Sequence, residues 1–212
     1  MPLMRIHKNK THSWGIWKMQ ESLDELLLSF DNSSRYENEI ENFSSSKRQL
    51  EYITTRILLK HMLGEEKRIA YHPNGKPYLS DNSYHISISH SGDFVAIILS
   101  NQYVVGIDIE KYGMKIDSLV SRFIRLDESP TVFQGEKRWS YLLHWSAKEV
   151  VFKILNEQNV DFKKHLKIEP FQTESYGSFL AQESRTVDNR LFNIFYRIYP
   201  EFVLTWSVVE EC

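Results

Sequence analysis

Apolar and polar positions alternate along this chain in two periods, and the order in which those periods appear is repeated. Leu50, Ile53, Ile57, Leu58 and Met62 recur at the spacing of one helical face. Ser46 and Gln49 stand in capping positions ahead of them, and Gly64 fits the stop. Lys47, Arg48, Arg56 and Lys60 lie off that stripe or at its edge. An earlier short helix, Leu23 to Phe30, opens on the capping box Ser22-Leu23-Asp24-Glu25, and Asp31 to Ser34 reads as a polar break after it. Asn74-Gly75-Lys76-Pro77 is a turn. Tyr84 to Ser89 then alternates with period two, and Phe94 to Leu99 is a continuous apolar run suited to a buried strand. Ser91-Gly92-Asp93 between them has the chemistry of a tight hairpin turn. A third strand is expected from Tyr103 to Glu110.

The second half follows the same order. Ile116, Leu119, Val120, Phe123 and Ile124 mark a short amphipathic helix, and Trp139 to Leu155 marks a longer one. Leu191 to Tyr199 and Phe202 to Val209 form a strand pair around Pro200-Glu201. Helix followed by hairpin therefore occurs in residues 1–103 and again in residues 104–212. This order points to an α+β fold with a duplicated design, although the residues themselves do not repeat visibly.

Composition narrows the class. Across 212 residues, 42% are hydrophobic and 25% charged, as in a soluble globular chain with a sizeable core. A formal charge of −2 gives no net basic excess of the kind that marks nucleic-acid partners. One cysteine, Cys212, cannot form an internal disulfide, and no Cys/His cluster suggests zinc, so a reducing, cytoplasmic setting is expected. Residues 1–20 mix Arg5, His7, Lys8 and Lys10 with isolated apolar positions, unlike a signal peptide, and no run is apolar enough to span a membrane.

Three segments carry candidate chemistry. In Val104-Val105-Gly106-Ile107-Asp108-Ile109-Glu110, alternation puts Asp108 and Glu110 on one strand face, with Gly106 leaving open space beside them. Two such carboxylates repel unless water screens them on a solvated edge strand or a hard cation binds both; magnesium is often held by one or two carboxylates together with substrate phosphates. In Trp145-Ser146-Ala147-Lys148-Glu149-Val150-Val151-Phe152-Lys153, Glu149 and Lys153 share a helix face. They read either as a surface ion pair or, because the helix is apolar almost all round, as groups that need buried partners. A metal beside phosphate supplies such partners, with Glu149 on the cation and Lys148 and Lys153 on phosphate oxygens. Ser89-His90-Ser91-Gly92 reads as an ordinary polar turn or as an anion site built from hydroxyls, turn amides and an imidazole.

Taken together these segments resemble the 4′-phosphopantetheinyl transferase superfamily, in its larger type that activates peptide and polyketide synthases and fatty-acid carriers. The likeness runs over about residues 44–155. It consists of Lys47-Arg48-Gln49-Leu50 through Arg56, Asn74-Gly75-Lys76-Pro77, Ile86-Ser87-Ile88-Ser89-His90-Ser91, Gly106-Ile107-Asp108-Ile109-Glu110, Arg122-Phe123-Ile124 up to Glu128, and Trp145-Ser146-Ala147-Lys148-Glu149 with Lys153. Each is weak alone; their order and spacing make the resemblance specific. It implies two similar α/β halves related by a pseudo-twofold axis, with coenzyme A in the cleft between them and a monomer sufficient for function. It also implies that Asp108, Glu110 and Glu149 bind Mg2+, and that Lys148 and Lys153 lie near the pyrophosphate. Arg48, Arg56, Ser89 and His90 would take coenzyme A phosphate, and Lys76 would lie near the adenine nucleotide.

The implied reaction moves phosphopantetheine from coenzyme A to a serine of an apo acyl or peptidyl carrier protein. Asp108, Glu149 and Lys153 are the catalytic candidates, with Glu149 drawing off the serine proton directly or through water. Leu119, Arg122 and Phe123 form either a carrier-docking surface or plain core. Asp93 and Asn156-Glu157-Gln158-Asn159 depart from the family pattern. The chemistry of the acids alone also fits a magnesium-dependent phosphodiester hydrolase, and the fold alone a non-catalytic coenzyme A-binding module.

Overall fold

The computed structural model describes residues 2–43 and 45–210, so Cys212 lies outside the described residues. The chain divides into two compact units, Met1–Gln102 and Tyr103–Cys212.

In the first unit, strands β1 (Leu3–Lys8) and β2 (Ser13–Lys18) form a hairpin, followed by helices α1 (Leu23–Leu27), α2 (Ser33–Ile40) and α3 (Ser46–Leu63). The short hairpin β3 (Ile69–Tyr71) and β4 (Pro77–Leu79) carries Asn74-Gly75-Lys76 in its turn, and β5 (His85–Ser91) and β6 (Phe94–Ser100) complete an antiparallel sheet in the order β1-β2-β6-β5. Gly92 opens the two-residue link of that last hairpin with φ +61°, a conformation that favours glycine. Helix α3 packs on β2 and β6, burying Ile53, Ile57, Leu58 and Met62 against Trp17, Val95, Ile97 and Leu99. Each such side chain contributes roughly 1.5–3 kcal/mol of transfer free energy. A Cβ on Gly15 would meet Leu58 and Met62 at 2.9 Å, so this glycine lets the helix lie close to β2.

The boundaries differ from the sequence expectation in three places. The capping box at Ser22 and Glu25 forms, but α1 stops at Leu27. Asp31 to Ser34 is not simply a break: Ser33 begins α2, which anchors itself through Tyr36 and Ile40. The cap of α3 is Ser45, which accepts from the Arg48 amide, one residue earlier than expected; Gly64, with φ +79°, ends the helix as expected.

The second unit begins with β7 (Val104–Lys111), a 3-10 turn (Met114–Ser118) and the one-turn helix α4 (Val120–Phe123). Helix α5 (Arg138–Leu155), the short α6 (Phe162–His165) and strands β8 (Leu166–Ile168), β9 (Tyr176–Glu183), β10 (Leu191–Tyr199) and β11 (Phe202–Val209) follow. The antiparallel sheet runs β7-β11-β10-β9-β8, so β7 is an edge strand. Helix α5 lies on its β7 and β11 side. Its residues Leu142, Leu143, Ala147, Val150 and Val151 join Phe192, Ile194 and Val203 in the core. Among the described residues, no helix is long and apolar enough to cross a membrane.

Candidate active site

Period-two alternation on β7 sends Gly106, Asp108 and Glu110 to the face that α5 covers. The space beside Gly106 is not open, as the sequence suggested. A Cβ there would lie 2.8 Å from both the Val150 carbonyl and the Ile154 side chain, so the missing side chain lets the helix backbone settle onto the strand. Asp108 is consequently 3% exposed, which rules out a solvated edge-strand carboxylate.

A carboxylate buried in this way needs donors. Lys153 Nζ donates to Asp108 Oδ1 at 2.7 Å and to the Ile107 carbonyl at 3.0 Å. Ser146 Oγ donates to Asp108 Oδ2 at 2.7 Å, and stands 2.7 Å from Thr205 Oγ1 on β11, directly across the ladder from Asp108. Trp145 Nε1 donates to Glu110 Oε1 at 2.8 Å. Residues 145, 146, 149 and 153 of α5 thus all turn toward the two strand acids. Motif reading gave Trp145 and Ser146 no role, although both lie inside the Trp-Ser-Ala-Lys-Glu segment; Thr205 carried no sequence signal.

Glu149 completes the group. Its carboxyl is pushed from the usual 4.5 up to about 7, first by burial and then by the negative charge of Asp108, with Glu110 adding to the rise and Lys153 opposing it. Three acids therefore share one electrostatic neighbourhood with the Lys153 ammonium. They do not form a finished clasp: among the described residues, no group of three His, Cys, Asp or Glu side chains is placed to hold a metal ion as it stands. Both Asp108 oxygens are engaged by Lys153 and Ser146, and one Glu110 oxygen by Trp145. The donor chemistry nevertheless fits magnesium, since all three ligand candidates are hard oxygens and their charge exceeds that of one lysine.

The raised Glu149 carboxyl has a consequence for stability. The folded chain holds this proton more tightly than the unfolded chain, so the stabilisation is full below about 4.5 and is lost as pH rises through about 7. Without divalent cation, melting temperature should fall over that window, and Glu149→Gln should remove a component of about 3 kcal/mol. Parallel thermal melts of the two proteins from pH 4 to pH 8 check this; identical slopes would rule it out.

Two further candidates lie elsewhere than the sequence suggested. Lys148 faces the core. It is fully buried, and its Nζ donates to the Phe123 carbonyl at 2.6 Å and pairs with Glu128 at 2.8 Å. Burial pulls its ammonium below the usual lysine range, while Glu128 pulls it back. Glu128 also accepts from the backbone amides of Arg125 and Ile168, so the segment read as Arg122-Phe123-Ile124 up to Glu128 is a structural tie. Arg56 is likewise 5% exposed: its guanidinium lies 3.1 Å from the Tyr52 ring centroid and donates to the Tyr52 carbonyl. Both side chains are buried rather than exposed to solvent. Phe123 is core and Leu119 packs on it, leaving Arg122 as the exposed member of that trio.

In the first unit, Arg48 and His90 do come together. Arg48 Nη1 is 3.3 Å from His90 Nε2, and His90 Nδ1 is 3.5 Å from Glu51 Oε1, with Lys47 3.8 Å from the same oxygen. Both Arg48 and His90 are exposed, whereas Ser89 is buried on β5. Lys76 is half-buried in the β3–β4 turn, where its amide donates to Asn74 Oδ1 at 3.1 Å.

No protein-family model matches the chain. Individual relatives do. The chain is 31% identical over 109 residues to the 4′-phosphopantetheinyl transferase psf-1 of Bacillus pumilus, covering 46% of this chain and 46% of that protein. It is 38% identical over 64 residues to the 4′-phosphopantetheinyl transferase AcpT of Escherichia coli O157:H7, covering 30% of this chain and 33% of the relative, and it matches AcpT of strain K12 to the same extent. The chain thus spans less than half the length of the curated relatives it matches. Over those stretches it is similar in sequence to 4′-phosphopantetheinyl transferases, the family its motifs resemble.

Proposed function

We propose that this protein transfers 4′-phosphopantetheine from coenzyme A to a serine of an apo acyl or peptidyl carrier protein. The observation that supports this most directly is the buried Asp108 with the half-buried Glu110 and Glu149 near it and Lys153 beside it, in a chain similar to transferases of that name. In this reading Asp108, Glu110 and Glu149 hold Mg2+, which when bound neutralises charge on the pyrophosphate oxygens. The carrier serine oxygen forms a bond to the phosphorus bearing pantetheine. The bond from that phosphorus to the bridging oxygen breaks, and adenosine 3′,5′-bisphosphate leaves. Glu149 takes the serine proton, directly or through a water, the cation it helps to hold making it a weaker base than in the metal-free site. Lys153 stabilises the leaving phosphate with its ammonium and holds a proton that can follow it. The rest of the rate comes from positioning and fixed charge.

Arg48 and His90 are assigned to coenzyme A phosphate, and Ser89 and Lys76 to the same ligand more weakly. Arg48 and His90 are exposed and already in contact, so a guanidinium cation and an imidazole stand together, which suits a shared anion. His90→Ala is expected to raise the KM for coenzyme A about tenfold with little change in kcat, read from initial rates at saturating magnesium. An unchanged KM removes His90 from the site. A cytoplasmic, monomeric enzyme fits this reading.

The deciding experiment incubates the protein with coenzyme A, magnesium and a purified apo carrier, and reads the carrier's intact mass. A gain of one phosphopantetheine supports the transferase. Cleavage of coenzyme A or phosphodiesters without carrier modification favours a hydrolase, and no reaction with measurable coenzyme A binding favours a binding module; either outcome overturns the proposal.

A further inference from the structure

Two hydroxyls sit fully buried behind Asp108, and their hydrogen bonding has a direction. Ser146 Oγ lies 2.7 Å from Asp108 Oδ2 and 2.7 Å from Thr205 Oγ1. An ionised carboxylate only accepts, so the single Ser146 proton goes to Asp108. The contact to Thr205 must then run the other way, with Thr205 donating to Ser146. The result is a one-way relay, Thr205 to Ser146 to Asp108, in which each hydroxyl polarises the next. Both residues are 0% exposed, and neither hydroxyl meets solvent. Packing alone at these positions is satisfied by Ala and Val, which carry no desolvation cost.

The relay is anchored on both sides of the carboxylate's environment. Thr205 stands opposite Asp108 in the β7–β11 register, and Ser146 comes from the facing turn of α5. It therefore ties the strand acid to the sheet and to the helix at once, and it fixes the plane of the carboxylate through Oδ2. Lys153 contacts the other oxygen, Oδ1, and is partly exposed with a flexible stem, so it cannot define that plane as firmly.

We propose that Ser146, backed by Thr205, is a positioning residue that sets the orientation in which Asp108 meets a divalent cation. This rests on the magnesium reading above and adds a residue pair that the motif resemblance does not assign. Hydrogen-bonded partners behind a ligating carboxylate typically matter by 10–100-fold in metal affinity.

The test measures Mn2+ binding directly, by the loss of the free-ion electron paramagnetic resonance signal, in the full chain. Ser146→Ala is expected to weaken Mn2+ binding on the order of tenfold or more. Ser146→Thr, which keeps the hydroxyl, should restore it to within about threefold, and Thr205→Val should fall between the two. Turnover should need correspondingly more magnesium in Ser146→Ala, while the KM for coenzyme A at saturating magnesium stays unchanged. A merely structural role moves the melting temperature but neither of these. Wild-type Mn2+ affinity in folded Ser146→Ala overturns the inference. If Ser146→Ala does not fold, Thr205→Val decides by the same criterion, and failure of both to fold makes the pair structural and also overturns it. Failure of the wild-type chain itself to bind Mn2+ would instead sink the magnesium reading, and is distinguishable because no variant enters that comparison.

Discussion

For the proposed reaction, Asp108→Asn is expected to lower turnover about a thousandfold, on the order of 4 kcal/mol of transition-state stabilisation, while leaving the chain folded. The fold survives because the relay behind the side chain can reverse. With an amide in place of the carboxylate, Oδ1 still accepts from Lys153, and Nδ2 now donates to Ser146 Oγ. Ser146 then passes its proton to Thr205, which accepts. Each hydroxyl oxygen keeps a hydrogen bond, only the Thr205 proton giving up its acceptor, and volume is nearly unchanged. What disappears is one negative charge among three. Mn2+ binding should be lost with it, and the Glu149 carboxyl should return toward its ordinary value, because the Asp108 charge is the second cause of its rise. Asp108→Ala is a poorer probe, since it strands Ser146 in a dry site. The checks are single-turnover rates with carrier and coenzyme A saturating, together with a thermal melt. Turnover within tenfold of wild type would remove Asp108 from the reacting centre.

How far the sequence reveals this arrangement depends on whether the signal is local. Helices α3 and α5, the Ser91-Gly92-Asp93 hairpin and the β10–β11 pair are legible because periodicity and turn chemistry are written within a few residues. Strand β2 is not: Trp14, Gly15, Ile16 and Trp17 are buried on both faces, so no alternation marks them. Strand β9 reads poorly because its polarity is inverted. Tyr176 and Leu180 are exposed, while Glu183 is buried as acceptor for the amides of Arg185, Thr186 and Arg190. Helix α2 shows only Tyr36 and Ile40 as anchors in an otherwise polar run.

The same distinction divides the site residues. Glu149 and Lys153 are four apart and share a face, and both turn toward β7. Lys148 is one position from Glu149 and five from Lys153, which on a helix points it about 100° and 140° away from those two. Helical spacing therefore already separated the two lysines that the motif grouped together. Pairing between Thr205 and Asp108, by contrast, depends on the register of strands nearly a hundred residues apart in sequence, and nothing local specifies it.

Lys148→Met follows from that separation and should act on stability rather than on coenzyme A. Glu128 holds each carboxylate oxygen to a backbone amide, Arg125 on one side and Ile168 on the other, and the Lys148 ammonium sits at 2.8 and 3.1 Å from the two oxygens. Both side chains are fully buried. Removing the lysine leaves a buried carboxylate whose charge is uncompensated and a Phe123 carbonyl without its 2.6 Å donor. Breaking a buried pair from one side costs about 3–5 kcal/mol, which in a chain of this size lowers the melting temperature by roughly 10 °C. Glu128→Ala should cost at least as much, because it strands the lysine and two amides that tie the loop after α4 to β8. At low temperature, where the Lys148→Met protein remains folded, its KM for coenzyme A should stay within about threefold of wild type, since the Nζ it loses faces the core. A melt unchanged from wild type, together with a KM raised tenfold, would instead place Lys148 on the phosphates and contradict the burial that separates it from Lys153.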